Sequence, residues 1–255
     1  MRKEEKNREA SVLFEGMTSL RAVINSYERG GRRILRVLYD ETKRSSKSRE
    51  LSFLLTMSEK YSFDVIPVTP DRIAELAVGN SHGGIIAECT ERVIPEIDRE
   101  RIKKDGFYVM IEGIEDPYNF GYAVRSLYAA GADGIVLPGR NWMSAAGVVC
   151  RSSAGASELI DVFKCDDPLF VCRTFKETGY KTVCAGIRDS ISIYDADLSK
   201  PLLLIVGGEK RGISRSTLDA ADQTVRIDYG REFRGSLSTA SAVTVLAFEV
   251  MRQNK

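Results

Sequence analysis

The sequence predicts an α/β protein made of a small α/β domain followed by a larger domain built on a parallel sheet. Its 255 residues are 43% hydrophobic and 29% charged, a globular mixture long enough to bury one large core or two smaller ones. From residue 107 onward, short apolar runs alternate with helical patterns, which is the rhythm of parallel α/β units. Residues 90–104 are mostly charged and include Pro95, as is typical of a solvated linker or a short surface helix. We therefore expect domains over 1–89 and 105–255, joined by this linker.

Apolar spacing and turn residues place the elements of the first domain. Apolar residues recur at helical spacing from Val12 onward, and this pattern ends before Gly30 and Gly31. A further helix opens at Thr69, with Pro70 in its first turn. The predicted elements are, in chain order, a helix over 12–27, a strand over 34–39, a helix over 51–57, a strand at 65–66, a helix from 69 and a strand over 85–87.

The second domain continues the alternation of strands and helices to the end of the chain. Its predicted strands cover 107–111, 135–137, about 160–163, 182–185 and 202–206, and its predicted helices cover about 120–130, 144–150, 168–177 and 237–251. The last helix is apolar nearly all the way round. A helix without a polar face is buried inside its own domain or against a second subunit.

Composition and charge exclude several classes of protein. Lys and Arg number 37 against 36 Asp and Glu, so the net charge of +1 gives no overall preference for a polyanion. The five cysteines form no C-x-x-C pair and His82 is the only histidine, which argues against a disulfide framework, a metal site and a histidine-dependent triad. No apolar run reaches the roughly 18 residues of a membrane span, and the charged start MRKEEKNREA is unlike a signal peptide. We therefore expect a cytoplasmic protein with no membrane association.

A local excess of positive charge, which we call the basic stripe, occupies residues 29–49. Eight cations there stand against two acids, Asp40 and Glu41. Side chains of this kind neutralise the phosphates of nucleic acids. The candidates for RNA binding are Arg29, Arg32, Arg33, Lys43, Arg44, Lys47 and Arg49. The alternative is a solvated surface that serves solubility.

Three glycine-containing segments follow strands of the second domain, which is where open parallel sheets bind their ligands. The first covers residues 115–121 and leads into a helix that carries Arg125. A helical wheel places Val124, Leu127 and Tyr128 on one face and Arg125 on the opposite flank, where it is free to point into a crevice. The alternative is that Asn119 caps the helix and Arg125 is only solvated.

The second segment, residues 207–214, reads G-G-E-K-R-G-I-S after an apolar strand. It falls short of a phosphate loop because Ile213 stands where the essential Lys belongs. It also falls short of a dinucleotide fingerprint because Glu209 replaces the second Gly. The sequence thus gives no support for an NTPase or a nicotinamide site, and a simple tight turn remains the alternative to a cofactor loop.

The third segment runs from Ile227 to the start of the final helix, with G-S-L-S-T-A at 235–240. Ser236 and Ser238 are natural N-cap residues, which would explain them without a functional role. A serine nucleophile is poorly supported, because the chain has no second histidine and no G-x-S-x-G elbow here.

In chain order, the three segments read N-F-G-x-x-x-R-S-x-x-x-A-G, then G-G-E-x-x-G-I, then I-D-Y…G-S-L-S-x-A-x-A before a helix that ends F-E-V-M-R-Q. This pattern, over about 105–255, resembles the three motifs of the SpoU (TrmH) family of RNA ribose methyltransferases. The first domain is similar to the L30e-like RNA-binding domain common in that family, through Phe14-Glu15-Gly16 and His82-Gly83-Gly84.

The resemblance implies a SPOUT fold, a parallel α/β sheet with a C-terminal trefoil knot, which is an exception to the rule against threaded chains. It also implies S-adenosylmethionine bound in the knot and an active site completed across a homodimer of the C-terminal domain. The positions that match the family's cofactor contacts are Gly207, Gly208, Gly212, Ile227, Ser236 and Leu237. Those that match its catalytic and substrate-orienting positions are Asn119, Arg125, Glu209, Ser236 and Ser238. The family usually has S-L-N at the third motif, so Ser238 puts a shorter hydroxyl in place of an amide.

The chemistry of methyl transfer agrees with these assignments. A sulfonium methyl is already electrophilic, so the enzyme must chiefly align a ribose oxygen and help remove its proton, and no metal is required. Because a guanidinium keeps its proton, Arg125 suits orientation of a phosphate or hydroxyl at least as well as proton removal. Glu209 would hold Asn119 or the partner's Arg125 in place.

The sequence thus predicts a cytoplasmic, homodimeric RNA 2′-O-ribose methyltransferase that uses S-adenosylmethionine on ribosomal or transfer RNA. The alternative is a weakly catalytic or non-catalytic RNA-binding protein that retains the fold, as the change at Ser238 suggests.

Overall fold

The computed structural model describes residues 11–137, 145–208 and 212–255. The strands are β1 (Ser11–Glu15), β2 (Ile34–Asp40), β3 (Asp64–Val68), β4 (Ile85–Thr90), β5 (Phe107–Glu112), β6 (Gly134–Leu137), β7 (Asp161–Lys164), β8 (Lys181–Ala185), β9 (Ile191–Ser192), β10 (Leu202–Gly207) and β11 (Gln223–Arg226). The helices are α1 (Gly16–Ser26), α2 (Ser48–Tyr61), α3 (Pro70–Leu76), α4 (Pro117–Ala129), α5 (Ala146–Ser152), α6 (Pro168–Glu177), α7 (Arg215–Ala220) and α8 (Thr239–Gln253). No helix in these ranges is long and apolar enough to cross a membrane.

The described residues divide into two compact units. The first takes in residues 11–93 and 145–159, and the second takes in 94–137, 160–208 and 212–255. The units differ from the predicted domains in two stretches. Residues 145–159 lie with the first unit although their sequence position is inside the predicted domain 105–255. The predicted linker contributes Ile97 and Ile102, both buried, to the core of the second unit.

The first unit is built on a four-stranded sheet with the strand order β1-β4-β2-β3. β4 runs antiparallel to β1 and β2, and β3 runs parallel to β2. The prediction of a helix over 12–27 was wrong at its start, because residues 11–15 form β1. An apolar run this short fits a strand as well as a helix, and pairing with β4 decides between them. Gly16 has a φ of +76°, which lets the chain turn directly from β1 into α1.

The stretch 145–159 belongs to the first unit because its apolar side chains complete that unit's core. Ala146 and Cys150 of α5 lie in the same buried cluster as Phe14 and Leu20. Gly147 lies so close to β1 that a Cβ there would approach the carbonyl oxygen of Leu13 to 2.1 Å. The close approach of α5 to β1 therefore requires glycine at this position.

A buried ion pair ties the same stretch to the first unit. Arg32 donates from Nε to Glu158 at 3.1 Å, and the two side chains are only 4% and 3% exposed. Arg32 also donates to the carbonyl oxygen of Thr90 at 3.2 Å, and its guanidinium lies over the ring of Phe14. The prediction that Arg32 contacts RNA is corrected accordingly, since a buried and paired guanidinium cannot reach a phosphate.

The second unit is an α/β unit around a seven-stranded sheet with the strand order β7-β6-β5-β10-β8-β11-β9. All of its strand pairs are parallel, so the predicted fold class is confirmed. The sequence pattern did not predict β9, α7 or β11, which are short elements without a long apolar run. Because the strands are parallel, their carboxyl ends meet at a single edge of the sheet.

Removing one partner of the buried ion pair should destabilise the first unit. We expect Arg32→Ala to lower the free energy of unfolding by about 3–5 kcal/mol, because it leaves the Glu158 carboxylate buried without its counter-ion. Urea unfolding followed by circular dichroism measures the change. The exposed Arg44→Ala is the matched control, with an expected change within about 0.5 kcal/mol. The double variant Arg32→Met/Glu158→Leu should recover most of the loss, and equal stability of Arg32→Ala and Arg44→Ala would contradict the assignment.

Candidate active site at the carboxyl edge of the parallel sheet

Three segments of the second unit meet where β5 and β10 end. The two strands are neighbours in parallel register, with Glu112 opposite Gly207, and the amide of Gly208 donates to the carbonyl oxygen of Glu112. The start of α8 joins them, because Thr239 Oγ1 donates to the carbonyl oxygen of Gly207 at 3.2 Å. Further along, Ser126 of α4 and Thr244 of α8 are linked through their hydroxyls at 2.7 Å. The second and third segments that the sequence singled out therefore meet at the sheet edge, where the strand that leads into the first segment also ends.

The glycines of the second segment are required by the packing of the chain itself. A Cβ on Gly207 would lie 2.6 Å from the carbonyl carbon of Gly212, and one on Gly208 would lie 2.2 Å from the carbonyl oxygen of Gly113. Gly212 has a φ of +64°, a left-handed conformation that favours glycine. A substitution at Gly207 or Gly208 thus disturbs the loop before any ligand is considered.

Glu112 is a buried carboxylate that the sequence analysis missed. Its Oε2 accepts a hydrogen bond from the backbone N–H of Ser214 at 3.0 Å, and Ser214 is the N-cap of α7. Its Oε1 is also buried and has no hydrogen-bond partner among the described residues. Glu112 therefore anchors the chain after Gly212 and retains one acceptor at the sheet edge. An acidic residue directly after the apolar run 107–111 was the signal that could have identified it.

Asn119 lies in the first turn of α4 and is half-buried. The alternative that it caps this helix was wrong. Asp116 is the N-cap, and its carboxylate accepts from the backbone N–H of Asn119 at 2.7 Å. Pro117 then opens the helix, as its fixed φ favours. The helix start is satisfied by Asp116, which leaves the Asn119 side chain without a capping role.

Arg125 lies on the exposed side of α4. It makes no hydrogen bond or ion pair with any residue in the described ranges. The buried face of the helix includes Val124 and Leu127, as predicted. Tyr128, on the same side of the helical wheel, is 42% exposed. Arg125 thus presents a guanidinium whose donors are all available to an anionic or hydroxyl-bearing substrate.

The two serines of the third segment have different environments. Ser238 is the N-cap of α8, with Oγ accepting from the backbone N–H of Ser241 at 3.2 Å. Capping thus accounts for Ser238, as one of the two interpretations predicted. Ser236 is exposed and has no hydrogen-bond partner in the part of the chain that the structure describes. Of the catalytic candidates, Ser236 therefore resembles Arg125 in being available to a substrate.

The predicted cofactor contacts in this segment are accessible apolar side chains. Leu237 is partly exposed, and its backbone N–H donates to the hydroxyl of Tyr229 at 3.2 Å. Ile227 follows β11 and is half-buried. Accessible apolar side chains suit contact with a planar aromatic ring such as adenine. Glu209, predicted to orient the site, lies outside the described residues.

Burial raises the thiol pKa of the three cysteines described in this unit, Cys165, Cys172 and Cys184. Burial raises the pKa of the Cys184 thiol, on β8, to about 12, so it stays protonated and unreactive at neutral pH. In residues 11–137, 145–208 and 212–255, no three His, Cys, Asp or Glu side chains are grouped to hold a metal ion.

Curated relatives match most of the chain. It is 26% identical over 213 residues to the 23S rRNA (guanosine-2'-O-)-methyltransferase RlmB of Shewanella oneidensis, covering 82% of this chain and 86% of that protein. It is 27% identical over 215 residues to the RlmB of Haemophilus ducreyi, covering 81% of this chain and 86% of the relative.

Solved structures share the fold. An RNA 2'-O ribose methyltransferase superposes with a TM-score of 0.79 at 22% identity, covering 96% of this chain and 89% of the other. The SpoU methyltransferase AviRb of Streptomyces viridochromogenes, solved with AdoMet, gives a TM-score of 0.79 at 23% identity, covering 95% of this chain and 90% of the other. Both likenesses extend over the two units of the chain.

The family model of the SpoU rRNA Methylase family matches residues 106–248. That range includes the ends of β5 and β10, the start of α8 and every catalytic candidate from Asn119 to Ser238. It also covers more than half of the chain. The protein belongs to the SpoU rRNA Methylase family.

Proposed function

We propose that this protein transfers a methyl group from S-adenosylmethionine to a ribose 2′-hydroxyl of RNA. The observation that carries the proposal is the meeting of β5, β10 and the start of α8 at one sheet edge, where the Gly208 N–H donates to the Glu112 carbonyl oxygen and the Thr239 hydroxyl donates to the Gly207 carbonyl oxygen. Arg125 and Ser236 are exposed on two of these segments. The names of the relatives agree with this activity. Ribosomal RNA is the substrate those names favour, and transfer RNA is the alternative.

The residues at the sheet edge fit S-adenosylmethionine. Leu237 and Ile227 offer apolar contact to the adenine ring. The buried Oε1 of Glu112, which lacks a partner in the described chain, is an acceptor of the kind that an ammonium group requires. When bound, the cofactor supplies an electrophilic methyl on a sulfonium.

The protein's own contribution is alignment and proton management. Arg125 would hold the phosphate or hydroxyl of the target nucleotide through its guanidinium donors, since a guanidinium keeps its charge and forms forked hydrogen bonds. Ser236 would accept or donate a hydrogen bond at the ribose, since a hydroxyl can do both. Asn119, in the first turn of α4, would orient one of these groups. Alignment of this kind is a large part of the rate gain in a reaction between two bound partners.

Exposed aromatic side chains support a homodimer of the second unit, as the family resemblance implies. Tyr122 and Tyr128 on α4 and Phe248 on α8 are all more than 40% exposed, and the two helices contact each other through Ser126 and Thr244. A partner subunit would bury these rings and add its own groups to the site. The trefoil knot, the cytoplasmic location and a reaction without metal belong to the same proposal.

Ser238 favours the second candidate function, RNA binding with weak or no catalysis. Its hydroxyl is engaged at the start of α8, with Ser241. A shorter side chain occupied in this way cannot reach as far into the site as an amide would. We propose methyl transfer as the function because Arg125 and Ser236 remain available.

We still propose that the basic stripe captures RNA on an L30e-like first unit, but with fewer of its cations available. Arg32 is buried, while Lys43 pairs with Asp40 at 3.7 Å and Lys47 with Glu50 at 3.0 Å. Arg44 and Arg49 are exposed and carry no ion pair within the described ranges. These two arginines are therefore the cations of the stripe best placed to pair with RNA phosphates.

Replacing Arg125 tests the proposed function. We expect Arg125→Ala to lower kcat for methyl transfer to RNA by at least ~100-fold, the scale of an essential positioning or proton-transfer group, and to leave the Kd for S-adenosylmethionine unchanged. Radiolabelled methyl incorporation and calorimetry give the two values. Arg173→Ala, an exposed arginine on α6, is the control. Full turnover in Arg125→Ala would exclude the assigned role.

Shortening Leu237 tests the cofactor contact. Leu237→Ala should weaken S-adenosylmethionine binding about 5- to 10-fold, because part of the adenine's apolar contact is lost. Leu55→Ala, on the exposed side of α2, should have no effect. Gly207→Val should also abolish binding, but through the clash with Gly212, so its folding must be checked by circular dichroism. Unchanged affinity in Leu237→Ala would place the adenine elsewhere.

Charge reversal tests the stripe. The double variant Arg44→Glu/Arg49→Glu should weaken RNA binding and reduce the slope of log affinity against log salt by about 1.5, since each lost phosphate contact removes about 0.7 to 0.9. Fluorescence anisotropy across a salt series measures both. Arg173→Glu/Arg188→Glu makes the same change in net charge on the second unit. If the two double variants behave alike, the stripe serves solubility rather than RNA capture.

A further inference from the structure

The loop between β11 and α8 exposes aromatic rings to solvent. Tyr229 is 42% exposed and Phe233 is 59% exposed, although a phenylalanine ring is normally buried. Neither ring has a place in the methyl-transfer roles assigned above. We call residues 229–237 the aromatic loop.

The aromatic loop is held in shape by its own contacts. The rings of Tyr229 and Phe233 meet edge to face, with centroids 5.8 Å apart. The tip of the Phe233 ring lies over Gly235, where a Cβ would approach Phe233 Cζ to 2.5 Å. The Tyr229 hydroxyl accepts from the Leu237 backbone N–H, which ties the two ends of the loop together. A ring surface held in this way loses little conformational freedom when a ligand stacks on it.

Positive charge is interleaved with the rings. Arg231 and Arg234 are exposed and make no hydrogen bond or ion pair with any described residue. Glu232 is the one acid between them. Exposed aromatic rings with neighbouring arginines are the combination by which proteins bind unpaired RNA, since bases stack on the rings and phosphates pair with the guanidinium groups.

The aromatic loop also leads straight into the candidate active site. Ser236 follows Phe233 by three residues, so the two lie within about 11 Å along the chain. Leu237, which we assign to the adenine of the cofactor, closes the same loop. A base stacked on Phe233 would therefore lie beside the nucleotide that presents its ribose to Ser236.

We propose that Tyr229 and Phe233, flanked by Arg231 and Arg234, form a platform on which an unpaired base of the RNA substrate stacks next to the methylated ribose. The inference rests on the proposed function, and it adds that the substrate is single-stranded at the target. The cofactor's adenine is a weaker choice of occupant, because Leu237 and Ile227 already provide an apolar contact and adenine offers no phosphate to the two arginines. A second copy of the chain is also weaker, since unpaired arginines at a self-contact would repel one another.

The test compares Phe233→Leu with Phe233→Trp. Leucine keeps apolar volume but lacks a π face, so we expect the Kd for a short unpaired RNA of mixed sequence to rise about 5- to 150-fold. Tryptophan keeps the π face and should bind within about twofold of wild type. Fluorescence anisotropy measures these affinities. Phe170→Leu, an exposed phenylalanine on α6, is the matched control and should bind like wild type.

Three further measurements distinguish the possible occupants of the platform. An RNA with abasic riboses in place of its bases should bind wild type and Phe233→Leu equally, because no base is left to stack. The Kd for S-adenosylmethionine and the sedimentation coefficient should be unchanged in Phe233→Leu. A weaker cofactor Kd would assign the ring to adenine, and altered self-association would assign it to a subunit contact. Either result, or an unchanged RNA affinity, would overturn the proposal.

The kinetics keep this inference separate from the proposed function. In Phe233→Leu we expect a higher KM for RNA with kcat retained at saturating RNA, which a misfolded site would not give. If wild-type protein neither binds S-adenosylmethionine nor methylates RNA, the proposed function fails. If wild type is active and Phe233→Leu matches it on RNA, only the platform fails.

Discussion

The close approach of two backbone segments at the ends of β5 and β10 is the constraint on which the site depends. Gly208 lies against the carbonyl group of Gly113, and Gly207 lies against Gly212, at distances that no side chain would tolerate. Glu112 then fixes the far side of the loop by accepting from Ser214. Because α8 begins against the carbonyl oxygen of Gly207, a displacement of this loop would move all three family segments together.

Sequence alone predicted the parts of the fold that depend on long apolar runs. The strands β5, β8 and β10 and the helices α4, α6 and α8 follow from their periodicity, because buried parallel strands and packed helices require it. The short elements β1, β9, α7 and β11 escaped prediction. Their few residues carry no distinctive period, and pairing with distant strands decides their form. A local sequence pattern carries no information about contacts between strands that are distant in sequence.

Side-chain roles were harder to predict than elements, for a related reason. Asn119 and Ser238 are both polar residues near a helix start, yet only Ser238 is the cap, since Asp116 takes that position in α4. Likewise Arg32 looks like any other cation of the basic stripe until Glu158, far along the chain, is brought beside it. A residue's neighbours in space determine whether its charge faces an internal partner or a ligand.

The second unit combines a fixed sheet edge with an exposed loop. The sheet edge is fixed by backbone contacts and by buried groups such as Glu112, so it has little freedom to vary with the substrate. The rings of Tyr229 and Phe233 in the aromatic loop are exposed and contact each other, so a ligand can reach them without any displacement of the strands. Loops carried on a rigid scaffold are where binding residues concentrate. We therefore propose that the fixed edge aligns the reactants and that the exposed rings of Tyr229 and Phe233 hold an unpaired base of the RNA beside it.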